Sequence, residues 1–397
     1  MRLVVAAALL AASLGAESVD SFIQRTLQKN PEITSMQNSL KAAYEEIGIS
    51  SKLDNPELSI QTLNNDFSRP LARDISAMQQ VTYAITQKIP LTTKLGSREQ
   101  SKKDSYEALK NRLEQKKLDI EFEIKTIAYE IAKLKEIESN YKKYLETAKF
   151  ATGLLQISSS IESGSHTELV RSQIETATFE RKLTEIVAQK KIAIKKLESF
   201  GEVPNETIEI ELNPKYVDLS KTDISLSNEL RATSNEAKSI NGELSAENKS
   251  IVPDIGVTLG YASADSRYQD FWFFGVNIPL PIYGKELASA RKKGFELSSK
   301  KDEERNLRNK LTSDLEAAKF RYESALKNSK ATEKIIKTQS AHLLETTLST
   351  LKTSKSSREF VFSVIKENLS LENELAEYRA EAMSALAQIK KITGAEI

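Results

Sequence analysis

The chain has 397 residues, with 13 Gly, 9 Pro and no Cys, and 28% of it is charged at a formal net charge of +1. Basic and acidic residues are interspersed rather than segregated, which gives no reason to expect nucleic acid as a partner. The missing cysteine excludes a disulfide framework. Such poverty in Gly and Pro points to long uninterrupted helices.

The opening stretch, MRLVVAAALLAASLGAES, carries one Arg, an apolar run from Leu3 to Leu14 and small residues at its end. This is the pattern of a signal peptide over 1–16, cut near Gly15 or Ala16. No Cys follows it to take a thiol-linked lipid. No later stretch has the run of about eighteen apolar residues that a membrane-crossing helix needs.

A helix is expected over 18–52, broken at Asn30-Pro31, with Asn30 as the cap of the second piece and Pro31 in its first turn. Asn55-Pro56-Glu57-Leu58 opens an extended segment, in which Leu58 and Ile60 lie on an apolar side. After a turn-like stretch at 64–74, a second extended segment runs from Ser76 to Pro90. There Val81, Tyr83, Ile85 and Ile89 alternate with Thr82, Ala84, Thr86 and Lys88. A helix then runs from Ser97 to about Thr152, roughly 80 Å at 1.5 Å per residue. Its Leu and Ile recur at spacings of three and four, as in a coiled coil. A turn falls within 158–166, and helix resumes from Thr167 to about Phe200. Residues 207–222 form a connector, and helix returns from Ile224 to about Lys249.

The next stretch, 252–287, reads as two strands of about ten residues around a polar turn, the length a tilted strand needs to cross a bilayer. Ile255, Val257, Leu259 and Tyr261 share one side; Trp272, Phe274, Val276, Ile278 and Leu280 share one side after the turn. Beyond it, a helix from Glu286 to Thr350 spans roughly 95 Å. A break falls near 353–357, and a last helix covers 358–392.

The two halves match in order and spacing. Pro56 and Pro253 open first strands, Pro90 and Pro279 or Pro281 close second ones, and Gly164 and Ser356 mark turns between long helices. The fold class is therefore mainly α with a small β part: a tandem repeat of helix, strand, strand, very long helix and helix. The repeats cover 17–206 and 223–397, with the connector between.

Four strands cannot close a barrel, and an open sheet edge cannot face lipid. Closure demands several chains; two copies supply eight strands and three supply twelve. An eight-stranded barrel is packed or nearly so, whereas a wider one leaves a lumen. Gly256, Thr258, Gly260, Thr82, Thr86 and Lys88 give the inward face a polar character that suits water. The competing reading is a dimeric coiled-coil spacer or adaptor with a small soluble sheet.

These landmarks resemble the TolC-like outer membrane efflux proteins. The resemblance rests on Asn30-Pro31-Glu32-Ile33, on Asn55-Pro56-Glu57-Leu58, and on the strand exits Gln87-Lys88-Ile89-Pro90-Leu91-Thr92-Thr93-Lys94-Leu95-Gly96 and Val276-Asn277-Ile278-Pro279-Leu280-Pro281-Ile282-Tyr283-Gly284-Lys285. It implies a homotrimer in the outer membrane, with a twelve-stranded β-barrel of four strands per subunit on a long α-helical periplasmic tunnel. It also implies passive export, with a periplasmic adaptor (membrane fusion) protein and an inner-membrane pump of the resistance-nodulation-division type as partners. The short chain and missing lipidation cysteine are similar to the CzcC-like heavy-metal efflux subgroup. Drug-efflux and type I protein-secretion ducts share the fold.

The same resemblance places a periplasmic gate at the two helix–helix turns. Candidate gate or adaptor-docking residues are Gly164, Ser165, His166 and Glu168 at the first turn, and Lys355, Arg358, Ser363 and Lys366 at the second. The second turn lacks the usual Gly, and Ser363 and Lys366 stand where many relatives carry acidic side chains. Candidate lipid-facing residues are Val81, Tyr83, Ile85, Val257, Leu259, Tyr261, Trp272, Phe274, Val276 and Ile278. Trp272, Tyr261 and Tyr268 form a candidate aromatic belt. The basic residues Lys355, Arg358 and Lys366 have Glu359 and Glu367 as local partners by spacing.

Enzyme chemistry finds little support. The chain has 2 His, at positions 166 and 342, and 4 Met. No HExxH, CxxC, GxGxxG or P-loop pattern occurs, so catalytic, metal and cofactor sites are all expected to be absent.

Overall fold

The computed structural model describes residues 17–64, 68–69, 74, 78–159, 166–203, 208–264, 267–352 and 358–395. The expected signal peptide and the candidates Gly164, Ser165 and Lys355 lie outside them. In chain order the elements are β1 (Glu17–Ser18), α1 (Val19–Lys29), α2 (Pro31–Ser50), β2 (Glu57–Leu63), β3 (Gln80–Ile89), α3 (Lys94–Ser159), α4 (His166–Glu198), β4 (Ile208–Glu209), α5 (Asn228–Lys249), β5 (Ile255–Ala264), β6 (Phe271–Asn277), α6 (Lys285–Ile335), α7 (Ala341–Lys352) and α8 (Arg358–Thr393). The expected order of helix, two strands, long helix and helix is thus present twice. Among the described residues no helix is long and apolar enough to cross a membrane.

Contacts divide the chain into two units. One comprises residues 35–113 and 228–309 and holds a four-stranded sheet of order β2-β3-β5-β6, antiparallel throughout. The central pair joins the two repeats, with Ile85 opposite Leu259 and Thr86 opposite Thr258. β6 has 7 residues rather than the expected ten, because Pro279 and Pro281 cannot donate to a ladder and pairing stops at Asn277. Beside the sheet, α5 and the first part of α3 approach closely through small residues. A Cβ on Gly242 would lie 2.9 Å from the Ser101 Cβ. The hydroxyls of Ser101 and Ser239 are 3.1 Å apart, and those of Ser97 and Ser245 are 3.2 Å apart. The buried Lys94 ammonium donates to Asp254 at 2.5 Å, tying the start of α3 to the entry of β5.

The other unit comprises residues up to 34, 114–227 and 310–397. Asn30 caps α2 as expected, its Oδ1 accepting from the Glu32 and Ile33 amides at 2.8 and 3.2 Å. One core of this unit gathers Tyr144, Ala148, Leu155, Phe179, Phe362 and Ile365 from α3, α4 and α8. Polar pins flank it: Tyr144 and Lys143 both donate to Glu372, at 2.9 and 2.6 Å. Farther along, Glu121 accepts from Lys125 at 2.6 Å and Lys390 at 2.7 Å. Glu138 accepts from Lys142 at 2.6 Å and also from Lys190. Burial alone would raise both carboxyls, but their paired lysines outweigh it and hold them below the ordinary value.

One feature of this unit departs from the expected pattern. The helix expected over 286–350 is interrupted by a π turn at Ile336–Ser340. Ser340 at its end is buried and donates to Asn368 of α8 at 2.5 Å, so a polar pair occupies that helix contact. The connector is held by the fully buried Tyr322, whose hydroxyl donates to the Lys215 carbonyl at 2.7 Å and accepts from the Val217 amide at 2.9 Å.

Candidate functional site

The sheet has two chemically different faces, and the register fixes which residues share each. Leu58, Ile85, Leu259 and Phe274 lie opposite one another across the four strands, as do Ile60, Tyr83, Tyr261 and Trp272. Opposed residues point to the same side of a sheet, so these two rows form one continuous apolar face. Val257 and Val276 form a third pair on it, and Ile278 follows one residue beyond β6. Leu259 is 57% exposed and Trp272 71%. Tyr261 and Trp272 pack with ring centroids 5.1 Å apart. All the strand residues expected to face lipid therefore share one face. Val81 differs from the rest in being 4% exposed.

The opposite face carries the polar residues. The Thr86 and Thr258 hydroxyls are 2.8 Å apart across the central pair, and Lys88 reaches Glu57 at 2.8 Å. Ala84, Gly260, Thr82 and Ala262 pave this face with small side chains. It also bears two residues that the sequence reading missed, Phe271 and Phe273, opposite Ala262 and Gly260. The signal was present in the run Phe271-Trp272-Phe273-Phe274, whose aromatics occupy both parities of one strand. Among the described residues, β2 and β6 each pair on one side only, leaving two open edges.

The second candidate region lies where α3, α4 and α8 meet near the helix–helix turns. A cavity of about 400 Å³ there is lined by Glu168, Arg171, Glu175, Phe362, Ser363 and Lys366 among others. Three of the expected gate residues, Glu168, Ser363 and Lys366, thus come together. The Lys366 ammonium donates to Glu175 of α4 at 2.6 Å. The two positions are 191 residues apart, the same separation as the strand-closing Pro90 and Pro281, so equivalent places in the two repeats face each other. That offset was the sequence signal that could have found Glu175. The Ser363 hydroxyl is turned back onto the Phe360 carbonyl at 2.7 Å. His166 opens α4 and Arg358 opens α8. No group of His, Cys, Asp and Glu that could hold a metal ion occurs among the described residues.

This fold, long helices with a four-stranded antiparallel sheet that bears one apolar face, has counterparts among solved structures. Solved structures similar in fold include VceC of Vibrio cholerae, an outer membrane protein (15% identity, TM-score 0.78, 95% of this chain and 96% of that one). A membrane protein from Pseudomonas aeruginosa matches at 12% identity and TM-score 0.79, over 95% and 93% of the two chains. CusC, described through its folding and transmembrane channel formation, matches at 12% identity and TM-score 0.77, over 96% and 92%. Residues 22–198 match the family described as Outer membrane efflux protein. No curated protein sequence matches the chain.

Proposed function

We propose that the protein is the outer-membrane channel of a tripartite efflux system, a passive exit duct rather than an enzyme. Three copies contribute four strands each to a twelve-stranded barrel, and the helices extend into the periplasm. A periplasmic adaptor and an inner-membrane pump of the resistance-nodulation-division type deliver the cargo. The observation that carries this reading is the sheet itself, with one exposed apolar face, one polar face and two unpaired edges. Such edges are untenable in hydrocarbon unless another copy pairs with them.

In the same reading, the Lys366–Glu175 pair and the cavity beside it belong to the periplasmic gate. The pair is half-exposed on the lysine side, so it is worth about 0–1 kcal/mol per chain. A contact of that size biases a gate without locking it.

The resemblance to the CzcC-like subgroup makes heavy-metal cations one cargo class; organic amphiphiles and secreted polypeptides are the alternatives on the same fold. Susceptibility of a deletion strain to metal salts and to organic dyes separates the cargo classes. Membrane fractionation with a mass measurement tests the duct itself. The protein is expected in the outer membrane as a detergent-resistant trimer, and a soluble periplasmic species would instead favour the coiled-coil adaptor reading.

A further inference from the structure

We propose that Phe271, with Phe273 packed beside it as structural support, forms an aromatic contact for organic amphiphilic cargo on the water-lining face of the sheet. This rests on the duct reading above and names a cargo class for it.

The face is fixed by geometry. Phe273 lies opposite Gly260, and Phe271 lies opposite Ala262. Gly260 and Ala262 lie in turn opposite Ala84 and Thr82. The Thr86–Thr258 hydroxyl contact marks the same side as the polar one. The two rings therefore stand on a floor of small residues, on the side away from Leu259 and Trp272.

The rings are not equivalent. A Cβ on Gly260 would lie 2.2 Å from Phe273 Cζ and 2.4 Å from its Cε1, so that ring is pressed flat on bare backbone. Covering a strand glycine is a structural task, and it accounts for Phe273. Phe271 remains 48% exposed. Pairing of β6 with another copy joins strands edge to edge in the plane of the sheet, so it leaves the face above Phe271 open. In a closed trimer the pairs recur around the axis.

Aromatic faces bind apolar and aromatic groups, and their quadrupole attracts poorly hydrated cations. A small inorganic ion that keeps its water shell gains little from them. Cargo with both an apolar body and a charge gains from both terms, whereas a bare metal cation does not.

The test uses the full-length protein in planar bilayers, with tetraphenylphosphonium as the probe. The wild-type channel is expected to pass potassium chloride and to be blocked by the probe. Phe271→Ala is expected to weaken the block roughly tenfold while leaving potassium chloride conductance within twofold. Phe271→Leu, which keeps an apolar side chain but no ring, is expected to fall between them. Block that is absent in the wild type, or equal in wild type and Phe271→Ala, overturns the proposal and leaves the duct reading standing. A wild-type protein that forms no conducting channel overturns the duct reading and this inference with it.

Discussion

Leu259→Lys tests the assignment of the two sheet faces most sharply. Leu259 is the fifth of the 10 residues of β5 and sits in the row Leu58–Ile85–Leu259–Phe274. A lysine on the lipid face near the bilayer midplane costs about 2–4 kcal/mol per chain, and three copies raise that to roughly 6–12 kcal/mol per assembly. The neighbouring Thr258→Lys points to the other side. Its cost is the hydrogen bond to Thr86, about 0.5–1.5 kcal/mol, and its charge reaches water. Leu259→Ala serves as the control for lost apolar area alone. The assay is urea-titrated folding into phospholipid vesicles, read as the fraction of heat-dissociable trimer on gels. Leu259→Lys is expected to lose nearly all assembly, Leu259→Ala a modest part, and Thr258→Lys little. Equal assembly of the two lysine variants would refute the face assignment.

Other outcomes follow from particular contacts. Gly260→Ala is expected to cost about 1–3 kcal/mol of unfolding stability, because its Cβ would meet the Phe273 ring, and Phe273→Ala in the same chain should recover part of it. Gly275→Ala would place its Cβ 3.6 Å from the Thr258 Cβ, an ordinary contact, and should be tolerated better in the same urea titration. Glu175→Gln and Lys366→Ala should each change unfolding stability by less than about 1 kcal/mol, yet raise single-channel open probability several-fold. The swap Glu175→Lys with Lys366→Glu should restore the wild-type value, and unchanged gating in the single variants would remove this pair from the gate. Glu121 and Glu138 are held below the ordinary carboxylate value in the fold. Their contribution is therefore complete above the unfolded value of about 4.3 and is lost as pH falls through the depressed folded values. Thermal melts from pH 7 down to 3 should show the helical signal destabilised in that window, less steeply in Glu121→Gln and Glu138→Gln, and parallel curves would contradict the assignment.

The element order was legible because its signals are local and periodic. Asn30-Pro31 marks a cap, the two-residue alternation at 81–89 and 255–261 marks strands, and the landmark prolines give the repeat. The strand order β2-β3-β5-β6 was not, since pairing between residues as distant as Ile85 and Leu259 leaves no trace in local periodicity. The π turn at Ile336–Ser340 escaped for a similar reason: its polar contact, Asn368, lies on another helix. In the gate region, counting neighbours along one helix offered Glu359 and Glu367 as partners of the basic cluster, while the fold supplies Glu175 to Lys366 across the repeat. The inward face read as wholly polar because alternation was followed through Thr258 and Thr86, and the run of aromatics in β6 was read on one parity only.

Closure by pairing of β6 with β2 of another copy is the claim on which the account turns, and cysteine crosslinking measures it directly. The chain has no native cysteine, so Ser59→Cys combined in turn with Gly275→Cys or Asn277→Cys introduces the sole thiols. Within one chain β2 and β6 are three strand spacings apart, roughly 14 Å, well beyond the limit of about 7 Å between bridged Cα atoms. Any bond between the two edges must therefore join different copies. Oxidation in intact outer membranes is expected to give, at one register, a covalent ladder that stops at three chains. A ladder stopping at two, or no crosslink at any register of the two edges, would contradict the account.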